Sequence, residues 1–503
     1  MDGGLEVNTD NTTLYRKKRL PMTVGQLCAV IDAPCSLHGL EPETVIPFIT
    51  VVDIADAQPG GLYIPYEESD SEIRSNMEKG ALGVLVDHDI DGIPCIVTEN
   101  KDAALYRISK WMYSAIALPC TVVTGSAGKT TLKRMVAAVL KTEQEIFYRY
   151  GNYNTLHSLP ETLQLIPPEA EYLIQEVDEG RLHSVTDCSS VLSPEIALVT
   201  NISDSHIQYH GSEDALIEEL HGITAGMNAD GLVVINADDP GSNRTAFHPN
   251  TIRVGIRSED ADCRATGIET SDKGTSFDLH YEGRTVRVRL RIPGEHNVYN
   301  AMMAYVVGRR KGISEKHILA ALRRFQSSGV RQNYCRWRGT LVYADCYNAN
   351  AMSVSYAIQC LCRMRQRRGK RIAVLGDIGS IAGFEEPIYR RIAEAVDRSS
   401  LDVLLTCGEH AGMITQFVTR DMDKKHFRTK AELNDCLRAL KKSGPNAYLF
   451  KASRIMTLET CIKEVFPAHY FLLNLPNFNQ LKNAGFKLSS VPQHIRKRLG
   501  SSK

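Results

Sequence analysis

The 503-residue sequence predicts an α/β protein of three domains, the middle one built on a parallel sheet. Three observations carry this. Domains of roughly 100 to 200 residues make about three of them in a chain of this length. Short apolar, β-branched runs alternate with helix-length segments through the middle of the chain and again beyond residue 340, the spacing of parallel strands joined by crossover helices. One of those strands runs straight into a glycine-containing turn that opens a helix.

Composition excludes several classes. The chain is 43% hydrophobic and 23% charged, enough to bury a core in each domain, so disorder and collagen-like repetition are ruled out. Lys+Arg and Asp+Glu both number 59, and this balance argues against a protein that coats nucleic acid or an acidic membrane. Thirteen cysteines without a CxxC pair fit a reducing compartment better than a disulfide framework. The opening MDGGLEVNTDNTT is acidic and polar rather than secretory, and no apolar run reaches membrane-span length. The expected location is the cytoplasm.

Residues 1–20 read as a flexible leader. A small α/β domain follows over 21–117, with strands at Gly83–Val86 and Cys95–Val97 and a helix over Ala103–Met112. The central domain spans 118–335. Its strands fall at Pro119–Thr124, Glu171–Gln175, Ile196–Thr200 and Leu232–Asn236, and its first helix at Thr131–Leu140. From about 251 to 291 the pattern shortens and alternates, as in RTVRVRLRI, which predicts an antiparallel edge before the helix Asn297–Lys311. The third domain, 336–503, has strands at Thr340–Tyr343, Arg371–Leu375 and Val403–Thr406 and a helix containing Val354–Cys362. The basic run RMRQRRGKR, 363–371, reads as a solvated helix terminus rather than a nucleic-acid patch. HIRKRLGSSK reads as a polar tail.

The strongest local signal is VVTGSAGKTT, residues 122–131. Gly125, Ser126, Ala127, Gly128, Lys129, Thr130 and Thr131 form an anion cradle, in which backbone N–H groups and a helix N-terminus face phosphates. Lys129 is placed to contact the outer phosphates, and Thr130 to set a hydroxyl on Mg²⁺. Position 123 holds valine where the standard pattern has glycine, so the loop is a shortened GxxGKTT.

With that loop the chain resembles the Mur ligase superfamily, the ATP-dependent amide-forming enzymes of peptidoglycan synthesis, and most closely its D-alanyl-D-alanine-adding branch. The likeness extends over nearly the whole chain. Its motifs are GNYNTLHSLPETL from Gly151, TNISDSHIQYHGS from Thr200, INADDP from Ile235, GEHNVYNAMMA from Gly294, DCYNANAMSV from Asp345, LGDIGS from Leu375 and KASR from Lys451. The resemblance implies an N-terminal substrate-binding domain, a central ATP domain and a Rossmann-like C-terminal domain for the incoming amine. It implies ATP and Mg²⁺ as cofactors, with Thr130, Glu176 and His206 as metal ligands. Asn154 is then placed beside an acyl phosphate, Asn297 at the nucleotide base with Asn300 on the same nucleotide-contacting helix start, and Asp345 at the ribose or base. Arg338 is expected to reach phosphate across the cleft. Lys451 and Arg454 are expected at an oxyanion or the incoming substrate.

Elementary chemistry supports several of these while leaving plainer readings open. A carboxylate ending the strand YLIQE, as Glu176 does, points at the crevice where ligands sit and suits a hard metal. Asn154 can equally cap a turn, Asn297 can serve as a helix N-cap, and Lys451 and Arg454 can open a solvated helix.

The departures set the substrate expectation. Relatives carry a carbamylated lysine where this chain has Leu220, with Glu218, Glu219 and His221 around it, so a neighbouring carboxylate replaces the carbamate or the second metal site is weak. EVDEGRL adds Asp178 and Glu179 after Glu176. The segment matching the uridine-diphosphate contact reads TVVDIAD, 50–56, without its serine and arginine. The expected function is therefore an ATP-dependent carboxylate–amine ligase working through an acyl phosphate on a precursor other than the standard UDP-muramyl peptide. Two alternatives stand beside it: the D-alanyl-D-alanine-adding reaction on that standard precursor, and a non-catalytic nucleotide-binding scaffold or partner subunit. Expected partners are a small carboxylate acceptor and an amino-acid or dipeptide amine, with no nucleic acid and no membrane span; a homodimer or a pathway partner is left open.

Overall fold

In the computed structural model the described residues are 22–51, 60–66, 68–271, 273–327, 329–366 and 368–474. The leader, most of the 50–56 segment and the polar tail lie outside them. Three large sheets, each with its own helices, follow one another along the chain, and Met22–Thr23 adds a small antiparallel pair with Val45–Ile46 beside the first.

The N-terminal sheet has five strands in the order Cys35–His38, Cys95–Thr98, Gly83–Val86, Leu62–Tyr63, Ile49–Thr50, all parallel except the first. Its helix Lys101–Ile116 lies against the central domain, and a single apolar core runs through both, from Leu27, Ile96 and Ile108 to Leu159, Val177 and Leu216. Gln164 adds a two-way bond across the seam: its Oε1 accepts from Ile49 N at 2.8 Å and its Nε2 donates to Ile49 O at 3.0 Å.

The central sheet has nine strands in the order Arg284–Leu290, Gly274–Tyr281, Cys263–Ser271, Thr251–Gly255, Leu232–Asn236, Ile196–Val199, Cys120–Thr124, Tyr172–Glu176, Ile146–Phe147. The strands Cys120–Thr124, Tyr172–Glu176, Ile196–Val199 and Leu232–Asn236 are buried along their whole length. That is why they read as unbroken apolar runs: helices cover both faces. The expected antiparallel edge is there, but it begins later than the sequence pattern suggests. Thr251–Gly255 pairs parallel with Leu232–Asn236, and only the last three strands form an antiparallel meander. The first helix also starts two residues before the expected Thr131. Gly128, at φ 91°, turns the chain so that Lys129 and Thr130 already lie in the first turn of Lys129–Leu140. This helix packs on the almost wholly buried helix His296–Arg310.

Strand Cys120–Thr124 has Ile196–Val199 on one side and Tyr172–Glu176 on the other, so successive connections leave it in opposite directions. Ligands of open α/β sheets bind in the crevice beyond the carboxyl ends of strands at such a switch point. The glycine loop occupies that position.

The C-terminal sheet runs Asn333–Trp337, Thr340–Ala344, Ala447–Lys451, Arg371–Gly376, Val403–Cys407, Asp423–Phe427, parallel after the first pair. The basic run 363–371 does fall between the end of helix Ala351–Arg363 and strand Arg371–Gly376. The thirteen cysteines are all free. No helix among the described residues is long and apolar enough to cross a membrane.

Candidate active site

The glycine loop is shaped by its neighbours. Gly125 has φ 119°, and a Cβ there would lie 2.3 Å from Thr200 Oγ1, so only glycine fits. Asn201 braces the turn from the next strand: its Oδ1 accepts from Ala127 N at 3.0 Å and its Nδ2 donates to Ala127 O at 2.9 Å. Helix Lys129–Leu140 has no side-chain cap. Its first-turn N–H groups lack intrahelical partners by geometry and point out of the loop, as an anion site requires.

Around the cradle lies a buried charge network. Thr130 Oγ1 donates to Glu176 Oε1 at 3.1 Å, and Lys133 Nζ lies 3.0 Å from Glu176 Oε2. Glu176 is 2% exposed, which excludes a mere surface carboxylate. Burial alone would raise its carboxyl, but Lys133, Arg331 and Lys129 outweigh that and hold it below the ordinary value, so it is ionised at neutral pH. Asn154 donates to the same Glu176 oxygen and to Asn152 Oδ1, both at 3.2 Å. It is thus more than a turn cap, yet both its N–H bonds are spent on protein atoms.

Lys129 Nζ sits between two carboxylates, 2.7 Å from Asp178 Oδ1 and 2.6 Å from Glu179 Oε2. Burial works against its charge, and the two anions more than compensate, so its pKa stands above the ordinary lysine value. His206 Nε2 lies 3.4 Å from Asp178 Oδ2. The expected metal set therefore divides. Thr130 and Glu176 meet, whereas His206 is grouped with Asp178 and Glu179, whose ligand atoms and its own lie within 4.8 Å of one another.

The third domain closes the other side. It begins earlier than expected: its first strand, Asn333–Trp337, lies across the 335/336 boundary, so Arg331, two residues before that strand, stands on this wall of the cleft. Arg331 stacks on Tyr347, guanidinium carbon 3.5 Å from the ring centroid, and donates to Thr130 Oγ1 at 3.1 Å. Asn350 Nδ2 donates to Ser126 O at 3.0 Å. Between the domains runs a cleft lined by Ala127, Gly128, Asn300 and Asp345 together with His296, whose ring stacks on Tyr356 at 5.2 Å.

Several expectations are corrected. Arg338 stands at the exposed turn between Asn333–Trp337 and Thr340–Ala344, beside Trp337 and at the far end of the hairpin from Ala344. The strand spans about 3.3 Å per residue, so its whole length separates Arg338 from the phosphate loop. Arg331, not Arg338, is the arginine whose guanidinium reaches the glycine loop. Asn297 does not line the cleft and is no N-cap: Glu295 holds that position, and Asn297, fully buried, donates to Pro293 O at 2.8 Å and Gln332 Oε1 at 3.1 Å. Lys451 ends a buried strand rather than opening a helix. Its ammonium holds Asp345 Oδ2 at 3.0 Å and donates to Asn348 O at 2.6 Å, so it shapes the 345–350 loop instead of reaching substrate. Arg454 begins a short 3-10 turn, its side chain about half exposed and paired with Glu459. Leu220 is fully buried in the apolar core, and Glu219 beside it caps helix Ser184–Leu192, accepting from His183 N at 2.7 Å and Val185 N at 2.8 Å. The carboxylates near His206 are Asp178 and Glu179, not those of 218–221.

Sequence reasoning missed Arg331, Asn350, Asn201 and Lys133. Arg331 precedes its strand in GVRQNY, where nothing but position distinguishes it from the other arginines before residue 340.

The donor set fits a nucleoside triphosphate with a divalent ion: an uncapped helix start, a glycine cradle, two cations and an ionised carboxylate beside a threonine hydroxyl. Family models agree. The Mur ligase middle domain matches residues 123–308, and the Mur ligase glutamate ligase domain matches 323–454. The UDP-N-acetylmuramoyl-tripeptide–D-alanyl-D-alanine ligase of Bacillus subtilis (strain 168) is 28% identical over 415 residues, 80% of this chain and 90% of that protein. Its namesake in Escherichia coli (strain K12) is 27% identical, covering 88% and 98%. A crystal structure of MurF from Acinetobacter baumannii superposes with a TM-score of 0.78 at 25% identity, over 90% of this chain and all of that one. In fold alone, MurF from Thermotoga maritima in complex with ADP is similar too, with a TM-score of 0.71 at 20% identity over 83% and 96%. Cradle, charge network, three-sheet architecture and end-to-end likeness converge: the chain belongs to the Mur ligase superfamily, the ATP-dependent ligases that form amide bonds, and is closely related to its D-alanyl-D-alanine-adding branch.

Proposed function

We propose that the chain joins the amine of a D-alanyl-D-alanine dipeptide to the terminal carboxylate of a UDP-N-acetylmuramoyl-tripeptide, converting ATP to ADP and phosphate. The observation that carries the reaction type is the meeting of Thr130, Glu176 and Arg331 at the glycine loop. The likeness over 80% or more of the chain to two ligases of that name supports the acceptor and the amine. It favours them over the different precursor that the altered 50–56 segment suggested, a segment lying mostly outside the described residues. The same likeness to two ligases favours a working enzyme over a non-catalytic scaffold.

The reaction asks for two bond exchanges. An acceptor carboxylate oxygen bonds to the γ-phosphorus as the γ-phosphorus–oxygen bond to ADP breaks. The amine nitrogen then bonds to the acyl carbon as phosphate leaves, and the amine proton is lost. Lys129 and Arg331 lie where charge on the transferred phosphoryl group needs neutralising. Mg²⁺ held by Thr130 and Glu176 would add Lewis-acid polarisation of phosphate oxygens. The third domain, brought against the loop through Asn350 and Arg331, shields the site from water that would otherwise hydrolyse the activated acid.

The test is direct. Purified protein is incubated with Mg²⁺-ATP, UDP-N-acetylmuramoyl-tripeptide and D-alanyl-D-alanine, and products are read by mass spectrometry. A pentapeptide product, absent with Lys129→Ala, is expected. ADP release stimulated by a different acid, with none from this pair, would overturn the substrate assignment and leave the ligase chemistry standing.

A further inference from the structure

We propose that Asp178, Glu179 and His206 form a divalent-cation site of their own, on which the ion exchanges with the Lys129 ammonium. The two carboxylates and the imidazole offer ligand atoms within 4.8 Å of one another. Lys129 supplies one positive charge to two carboxylates, the buried Glu179 and the part-buried Asp178, so it cannot balance both. Glu179 is wholly buried and its second oxygen, Oε1, has no hydrogen-bond partner; Nδ1 of His206 has none either. Such groups are costly to leave unsatisfied.

Local geometry keeps the site formed. Gly180 follows the pair, and a Cβ on it would fall 2.8 Å from Asp178 Oδ2, so a side chain there would press on the ligand. His206 is held in a left-handed turn at φ 58°. The next residue, Ile207, packs in the core of the third domain, and Gln208 Oε1 accepts from Ala382 N at 2.9 Å. Hard carboxylate oxygens with one imidazole nitrogen suit Mn²⁺ better than Mg²⁺, which favours an all-oxygen shell with several waters.

The exchange follows from charge. A lysine drawn onto nucleotide phosphates leaves Asp178 and the buried Glu179 without a counter-ion, an arrangement that is costly when uncompensated. A divalent ion between Asp178, Glu179 and His206 replaces the lost charge. What draws the lysine away rests on the nucleotide reading of the glycine loop; the ion binding does not, and it is measured without nucleotide.

The full-length protein is titrated with Mn²⁺, and free Mn²⁺ is followed by its electron paramagnetic resonance signal. Lys129→Met is expected to bind Mn²⁺ at least ten-fold more tightly than wild type. Adding Asp178→Asn and Glu179→Gln to that variant, or His206→Ala, is expected to weaken binding at least ten-fold. Circular dichroism and thermal unfolding check each variant, and Lys129→Gln repeats the measurement with a polar neutral side chain. No gain in affinity in either lysine variant overturns the exchange. Binding that survives loss of both carboxylates but not Glu176→Gln assigns the ion to the phosphate loop and overturns the site. Intact Mn²⁺ exchange in a protein that fails to ligate the named pair would count against the substrate reading alone.

Discussion

A lysine that waits for phosphates inside a protein needs a counter-charge while it waits, and Asp178 and Glu179 provide it for Lys129. The price of that arrangement is that nucleotide must displace two carboxylates, so the loss in Lys129→Ala falls on turnover as well as on binding. Ligation in that variant is expected to fall at least 10³-fold. Arg331 works from the opposite wall. Its guanidinium is aimed by stacking on Tyr347, so Arg331→Ala is expected to lower kcat by about 10²-fold, the scale of one lost charge-stabilising donor, with thermal stability little changed. Arg331→Lys keeps charge but not the planar stack and should recover only part of the rate. Steady-state kinetics with ATP varied checks both; full activity in Arg331→Ala would remove it from the site. Arg331 was illegible in the sequence, since an arginine's reach depends on which end of a hairpin it occupies. Arg338, seven residues later, lies at the wrong end.

At the scale of elements, Asn350 does two things. As N-cap of helix Ala351–Arg363 its Oδ1 accepts from Ser353 N at 2.8 Å, and its Nδ2 reaches Ser126 O in the glycine loop at 3.0 Å. Substitutions separate the two roles. Asn350→Asp keeps a good N-cap but faces a carbonyl with a carboxylate, so stability should hold while the apparent KM for ATP rises. Asn350→Ala loses the cap as well and should cost about 1 kcal/mol of stability. Equal ATP dependence in wild type and Asn350→Asp would show that the contact does not shape the loop. Elements of this kind were legible where burial made the pattern simple. The central parallel strands fall within a residue or so of their expected bounds, because full burial on both faces leaves an unbroken apolar run. The boundary between parallel sheet and antiparallel meander was not legible, since Thr251–Gly255 is half-exposed at its start and reads like an edge strand. Motif residues were found more reliably than their roles. Lys451 of KASR was expected at an oxyanion or the incoming substrate, yet it holds the loop after Asp345.

Across the whole molecule, the two domain junctions differ in kind. The N-terminal and central domains share one apolar core, whereas the third meets the central domain through polar contacts, among them Asn350 to Ser126, Arg331 to Thr130 and Arg363 to Glu295, with Ile207 as an apolar pin. Polar junctions yield to domain motion more readily than a shared core does. Calorimetry at pH 7.5 is therefore expected to resolve two transitions, the N-terminal and central domains melting together. A single cooperative transition of the whole chain would contradict this. Acid separates the units further through two buried histidines. His157, at the seam beside Tyr66, is pushed down to about 3 by burial and then by the charges of Lys101 and Arg181; His469, in the third domain, falls to about 4, chiefly through burial. Both folded values lie below the unfolded value near 6.5, so above pH 6.5 neither form is protonated and the histidines contribute nothing to pH dependence. Below it the unfolded chain takes up protons that the folded one refuses, and stability falls as pH falls, levelling only near the folded values. Between pH 6.5 and 5 each histidine should cost about 2 kcal/mol, at 1.36 kcal/mol per unit. His157→Gln should flatten the pH dependence of the transition containing the shared core and leave that of the third domain unchanged, because His469 still titrates there. Equal flattening of both transitions would show that the seam and the third domain unfold as one unit.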